Sequence, residues 1–200
     1  MDPAYLPRHV LLVDRDPAMV SAWEAAFAAV DAVEAIRGDY FARRADAMVS
    51  PANAFGIMDG GLDLAIRAEL GVEVQAAVQA RIEERHHGEL PVGQAEVVPT
   101  GDVRWPYLVV APTMRVPTDV SQTLHAYLAF RAALLAIAQH GATGAPIRSL
   151  ICCGLGTGVG AMEPERCAHQ MAAAWRQLHG PARIPGGRAV LRAHAALNEA

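Results

Sequence analysis

Two hundred residues, 52% of them apolar and 19% charged, suit one globular domain with a single core and exclude a disordered chain. A formal net charge of −4, with no lysine and 17 scattered arginines, excludes a protein that binds nucleic acid by neutralising its phosphate backbone. No window offers the roughly 20 uninterrupted apolar residues of a membrane span, so no membrane partner is expected.

The elements follow in chain order. His9 to Asp14 (HVLLVD) is a short apolar run and predicts a buried strand. Asp16 then Pro17 is a helix cap followed by proline at the first helical position. Met19, Val20, Trp23, Phe27 and Val30 continue at helical spacing. Val33 onward predicts a second strand ending at Gly38-Asp39, and Asp46 to Ser50 a third, stopped by Pro51. After a loop, Leu62, Ile66 and Leu70 mark a short helix capped by Gly71. Val74, Val78 and Ile82 mark another running to Gly88. Strands are predicted from Ala95 and from Tyr107, a long helix capped by Ser121, a buried strand at Ser149 to Cys153, and an amphipathic helix carrying Cys167, Met171, Trp175 and Leu178. Alternating helices and continuously apolar strands predict an α/β fold, a mostly parallel sheet covered on both faces. The expected division is one domain over residues 1–180 and a Pro-, Gly- and Ala-rich extension over 181–200.

Cys152, Cys153 and Cys167 form neither a disulfide framework nor a zinc site, and the eight histidines have no ligand spacing. No metal and no cofactor are expected, and a reducing, cytoplasmic setting is. The first residues carry no signal-peptide pattern.

Chemistry concentrates in loops that leave predicted strands at their carboxyl ends, where open α/β sheets bind ligands. Gly154, Gly156, Gly158 and Gly160 alternate with Leu155, Thr157 and Val159 between a strand and a helix. Such a loop exposes backbone N–H groups to a phosphate or diphosphate. The plainer use of the same glycines is close helix–strand packing. Gly156 to Ala161 also satisfies the dinucleotide pattern G-x-G-x-x-A. That unit needs a further strand bearing an acidic residue about 20 positions on, and the 39 residues after Ala161 pass through the loop-like Pro181 to Gly187. A P-loop is excluded because the chain has no lysine.

Val49-Ser50-Pro51-Ala52-Asn53, then Gly60-Gly61-Leu62-Asp63-Leu64-Ala65-Ile66, is similar to the macrodomain signature V-N-A-A-N…G-G-G-V-D-x-A-I in its MacroD-type register. Gly38-Asp39 resembles the family's G-D-[IVL] element, and Gly154 to Gly160 lies where macrodomains carry a second phosphate-binding loop. The resemblance implies a three-layer α/β/α sandwich with a mixed, mostly parallel sheet. It implies a module that binds ADP-ribose, free or on a protein or nucleic acid. Some members hydrolyse ADP-ribosyl bonds or remove the phosphate of ADP-ribose 1″-phosphate; others only read the ligand, and a vestigial pocket is the third alternative. Carried over by position, Asp39 would accept a hydrogen bond from the adenine amine and Tyr40 would lie beside the base. Gly60, Gly61, Gly154, Gly156, Thr157, Gly158, Val159 and Gly160 would wrap the diphosphate, and Asn53 would bind the distal ribose. Asp63, with Asn53 and Asp59, would carry any hydrolysis.

Plainer roles stand beside these. Asp63 suits the first turn of any helix, Asp59 a turn or cap, and Asn53 and Asp39 turns. Ser50 and Pro51 replace the signature's Asn and Ala, and Asp59 replaces a glycine of hydrolytic members. The usual last strand, with its aromatic adenine shelf, is not evident in the tail.

Overall fold

A computed structural model describes residues 2–198. In chain order the elements are β1 (His9–Asp14), α1 (Pro17–Ala26), β2 (Val33–Arg37), β3 (Ala47–Ser50), α2 (Gly61–Leu70), α3 (Glu73–His86), β4 (Glu96–Pro99), β5 (Tyr107–Val110), α4 (His125–Thr143), β6 (Ser149–Cys152), α5 (Pro164–His179) and α6 (Arg188–Ala196). The sheet runs β2-β1-β6-β3-β5-β4. Every neighbouring pair is parallel except β4 with β5, so the sheet is mixed and mostly parallel.

The apolar runs explain the order. Val10 to Val13 and Leu150 to Cys152 are buried and fill the sheet centre, where both faces must be dry. Strand β2 alternates half-buried and exposed residues and takes the edge. Helices α1, α5 and α4 pack side by side, with Trp23, Phe130, Leu134, Ile137, Met171 and Trp175 buried among them. Helices α2 and α3 pack on each other and on β3 and β4. The sheet lies between the two helix groups, giving the expected three layers. Among the described residues no helix is long and apolar enough to cross a membrane.

Two local expectations resolve differently. Asp16 does cap α1, its carboxylate accepting the Ala18 N–H at 2.9 Å. Ser121, however, does not cap α4. That helix begins four residues later, and Thr123 Oγ1 accepts the His125 N–H at 3.2 Å. The delay has a cause in packing: the Val120 N–H is tied to the Gly160 carbonyl at 2.8 Å, which holds the preceding segment as a loop. In the tail, α6 lies on the surface with no buried residue. Its carboxyl end is held by Arg166, whose Nη2 donates to Asn198 Oδ1 at 2.9 Å, and by His169 at 2.7 Å from the Ala196 carbonyl. Basic groups at a helix C-terminus satisfy its free carbonyls. Glu199 and Ala200, the end of the expected extension, lie outside the described residues.

Candidate functional site

Because β2, β1, β6, β3 and β5 are parallel, their carboxyl ends share one edge of the sheet. The loops leaving them enclose a cleft of about 850 Å³. Its wall runs from Asp39 and Tyr40 after β2, past Asp14 at the end of β1 and Arg15 after it, and past Gly154 to Gly160 after β6. It continues to Asn53, Asp59, Gly60, Gly61 and Asp63 beyond β3, and to Thr113 and Met114 beyond β5. Every site residue expected from the sequence lines this one cleft.

Two parts of the wall present backbone donors. Gly60 precedes α2 with no side-chain cap, and the first intrahelical bond is Leu64 N to Gly60 O at 3.1 Å. The N–H groups of Gly61, Leu62 and Asp63 therefore find no acceptor among the described residues, at the positive end of the helix dipole. In the glycine loop the carbonyls take the internal bonds. Gly156 O accepts Met162 N at 3.0 Å, Gly158 O accepts Ala161 N at 3.0 Å, and Gly160 O accepts Val120 N. The N–H groups of Gly156, Thr157, Gly158, Val159 and Gly160 find no protein acceptor among the described residues. Consecutive free N–H groups of this kind form an anion-binding concavity.

Asp63 lies in the first turn of α2 and is 8% exposed. Burial pushes its carboxyl up to about 6, against the opposing effect of the Ser50 hydroxyl, which donates to Oδ1 at 2.7 Å. Ser50 is itself buried at the end of β3. A carboxyl poised there can take up and release a proton near neutral pH. Asp59, by contrast, is exposed on the rim.

Asn53 is largely committed to its own loop. Its Oδ1 accepts the N–H groups of Phe55 and Ile57 at 3.1 and 3.3 Å, and Nδ2 donates to the Ile57 carbonyl at 2.7 Å. One amide hydrogen remains for a ligand. The Asp39 carboxylate is held below its ordinary value, first by the Phe41 N–H and then by Arg15, whose Nη2 is 2.8 Å from Oδ2.

Tyr40 borders the cleft with most of its side chain turned inward. Its ring is core, 7% exposed. The hydroxyl lies 2.7 and 3.1 Å from the Val49 and Ile151 carbonyls and accepts the Val49 N–H at 3.1 Å, so it ties β3 to β6. Tyr40→Phe is expected to lower stability by about 1–3 kcal/mol, the cost of leaving buried polar groups unpaired. Urea unfolding of the two proteins measures it.

Sequence reasoning missed Arg15 and the Ser50–Asp63 pair. Arg15 follows a predicted strand at its carboxyl end, the signal used for the other loops, but Asp16-Pro17 beside it also spells a helix start. The cysteines behave as expected of buried thiols. Burial raises all three, Cys167 to about 12, so none is a ready nucleophile.

The family model of the Macro domain matches residues 49–171, more than half of the chain. The protein belongs to the macrodomain family. A protein of Aeropyrum pernix is 30% identical over 143 residues, 72% of this chain and 70% of its own. The macrodomain of Mycobacterium tuberculosis DarG superposes with a TM-score of 0.58 at 23% identity, covering 70% of this chain and 88% of that one. Thermosipho africanus DarTG, solved in complex with ADP-ribose, gives 0.56 at 20% identity, covering 74% of this chain and 42% of that one. At these identities the solved structures share the fold of this macrodomain. The family match includes the end of β3 and its loop, α2 and the glycine loop, but begins after β1 and Arg15.

Proposed function

We propose that this macrodomain binds ADP-ribose in the cleft, free or as the terminal group of an ADP-ribosylated protein or nucleic acid. The observation that carries the reading is the pair of unpaired backbone N–H sets, at the start of α2 and along Gly156 to Gly160, on the wall of one cleft. Two neutral donor sets suit a diphosphate in a chain of negative net charge. The adenosine end lies over β2 and β1, the diphosphate beside the glycine loop, and the distal ribose toward Asn53 and Asp63. Residues 1–180 serve as the domain and 181–200 as an appended element. The three buried free thiols suit a reducing, cytoplasmic setting.

Calorimetry with ADP-ribose, AMP and NAD, on wild type and Gly158→Glu, tests the reading. A Cβ at Gly158 meets nothing within 4 Å, so the fold tolerates the change while a carboxylate enters the donor set. We expect saturable ADP-ribose binding, weakened about tenfold or more by the added like charge, roughly 1.4 kcal/mol or above. Unchanged affinity in Gly158→Glu would remove the diphosphate from this loop.

A second reading, hydrolysis, is favoured by Asp63. A carboxyl near 6 beside the distal ribose can take a proton from water attacking C1″ of an ADP-ribosyl conjugate, with Asp59 at the rim orienting that water; the bond from C1″ to the conjugate breaks, and the released group takes up the proton.

A further inference from the structure

The cleft wall is acidic: Asp14, Asp16, Asp39, Asp59, Asp63 and Glu163 line it, and among the described residues Arg15 is its one basic residue. The position of Arg15 follows from the sheet order. Strand β1 lies between β2 and β6, so its loop stands between Asp39 and the glycine loop, over the adenosine end. The Arg15 side chain is 79% exposed and is anchored by its contact with Asp39.

This ion pair does little for the fold, because exposed pairs contribute about 0–1 kcal/mol. The aromatic rings at the adenosine end are engaged in the core to different degrees. Tyr40 is buried, and Phe41 is half-buried and packs edge-on against both Tyr40 and Trp105. The phosphates have backbone donors further along the cleft. A guanidinium is planar and weakly hydrated and lies readily on an aromatic face.

We propose that Arg15 is the base-recognition residue of this cleft: its guanidinium, held in place by Asp39, is the surface against which a purine lies. The proposal rests on ADP-ribose binding and adds the residue that selects the base.

The test is calorimetry or competition binding with wild type, Arg15→Ala and Arg15→Lys. The probes are ADP-ribose and the base-free ribose 5-diphosphate. Both variants are expected to weaken ADP-ribose about fivefold to tenfold, a span typical of a partly desolvated cation–π contact. They leave ribose 5-diphosphate and the melting temperature unchanged. Equal weakening of both probes in Arg15→Ala with rescue in Arg15→Lys would make Arg15 a phosphate ligand and overturn the proposal. Tighter ADP-ribose binding by Arg15→Ala would also overturn it, showing that the arginine only masks Asp39. Failure of wild type to bind ADP-ribose overturns the proposed function and this inference together; the variant outcomes overturn the inference alone.

Discussion

Asp63→Asn is expected to gain about 3 kcal/mol of stability relative to wild type between pH 4 and pH 8, and to lose any hydrolase activity. Folding raises the Asp63 carboxyl from 3.8 to about 6, chiefly by burial. A carboxyl raised on folding contributes stability below its unfolded pKa, and that contribution is lost as pH rises through the folded value. The shift of roughly 2 units corresponds to about 3 kcal/mol at 1.36 kcal/mol per unit, an upper figure. Asparagine has nothing to ionise, so the wild type declines through pH 6 while the variant stays level. Urea midpoints across that range read the difference, and parallel curves would show that Asp63 is solvated in the folded protein. The carboxyl is retained at the cost of stability at neutral pH, as expected of a group kept for chemistry. If Asp63 is the base, conjugate hydrolysis rises with pH through about 6. Ser50→Ala then moves that limb upward, because the Ser50 hydroxyl bond lowers the carboxyl. Hydrolysis by Asp63→Asn at the wild-type rate would take Asp63 out of the mechanism.

The sequence carried the local structure and most of the cleft for one reason: both depend on short-range pattern. Asp16-Pro17, Gly60-Gly61 and the alternating glycines each mark a boundary by their own backbone chemistry. The rule that ligands collect at strand carboxyl ends then gathers those loops into one place. What stayed hidden depends on pairing between distant segments. Nothing in HVLLVD reveals that β1 sits between β2 and β6, so nothing marks Arg15 out beside the helix start at Asp16-Pro17. Ser50 stood out as a departure from the family signature. Only the packing of α2 against β3 makes it the partner of Asp63. The family resemblance carries Tyr40 by position to the side of a base, and that position does not say how much of the ring is buried. The burial of its ring is set by the main-chain groups of Val49 and Ile151 lying within reach of its hydroxyl. Ser121 shows the same limit, since the bond that delays α4 comes from Gly160, 39 residues beyond it.

Gly160→Ala is expected to cost about 3 kcal/mol and to abolish ligand binding, an overpacking penalty at the upper end of the usual range. A Cβ there would come 2.5 Å from both the Gly156 carbonyl oxygen and Val120 Cγ2. The first obstacle is main chain and cannot rotate away. Moving it breaks the Val120 N–H bond to Gly160 or the Met162 N–H bond to Gly156, which fix the carbonyls inward. Gly156 is constrained differently: its φ of +77° suits glycine, and Val120 Cγ2 lies 3.1 Å from an added Cβ. Gly154 has Thr157 Oγ1 at 2.6 Å and Met19 Sδ at 3.1 Å, and the threonine can turn aside. Only Gly158 has open space, so Gly158→Ala is expected to fold like wild type. Close packing therefore falls on three of the four glycines, while the unpaired N–H groups proposed to meet an anion run from Gly156 to Gly160. Gly154, Gly156 and Gly160 let the loop fold tightly against Val120 and Met19. That tight fold turns the carbonyls in and leaves five N–H groups for the ligand. Guanidinium unfolding and ADP-ribose calorimetry on the two alanine variants test this division. Equal unfolding midpoints for Gly160→Ala and Gly158→Ala would show that the loop yields easily and that tight packing does not set the donor geometry.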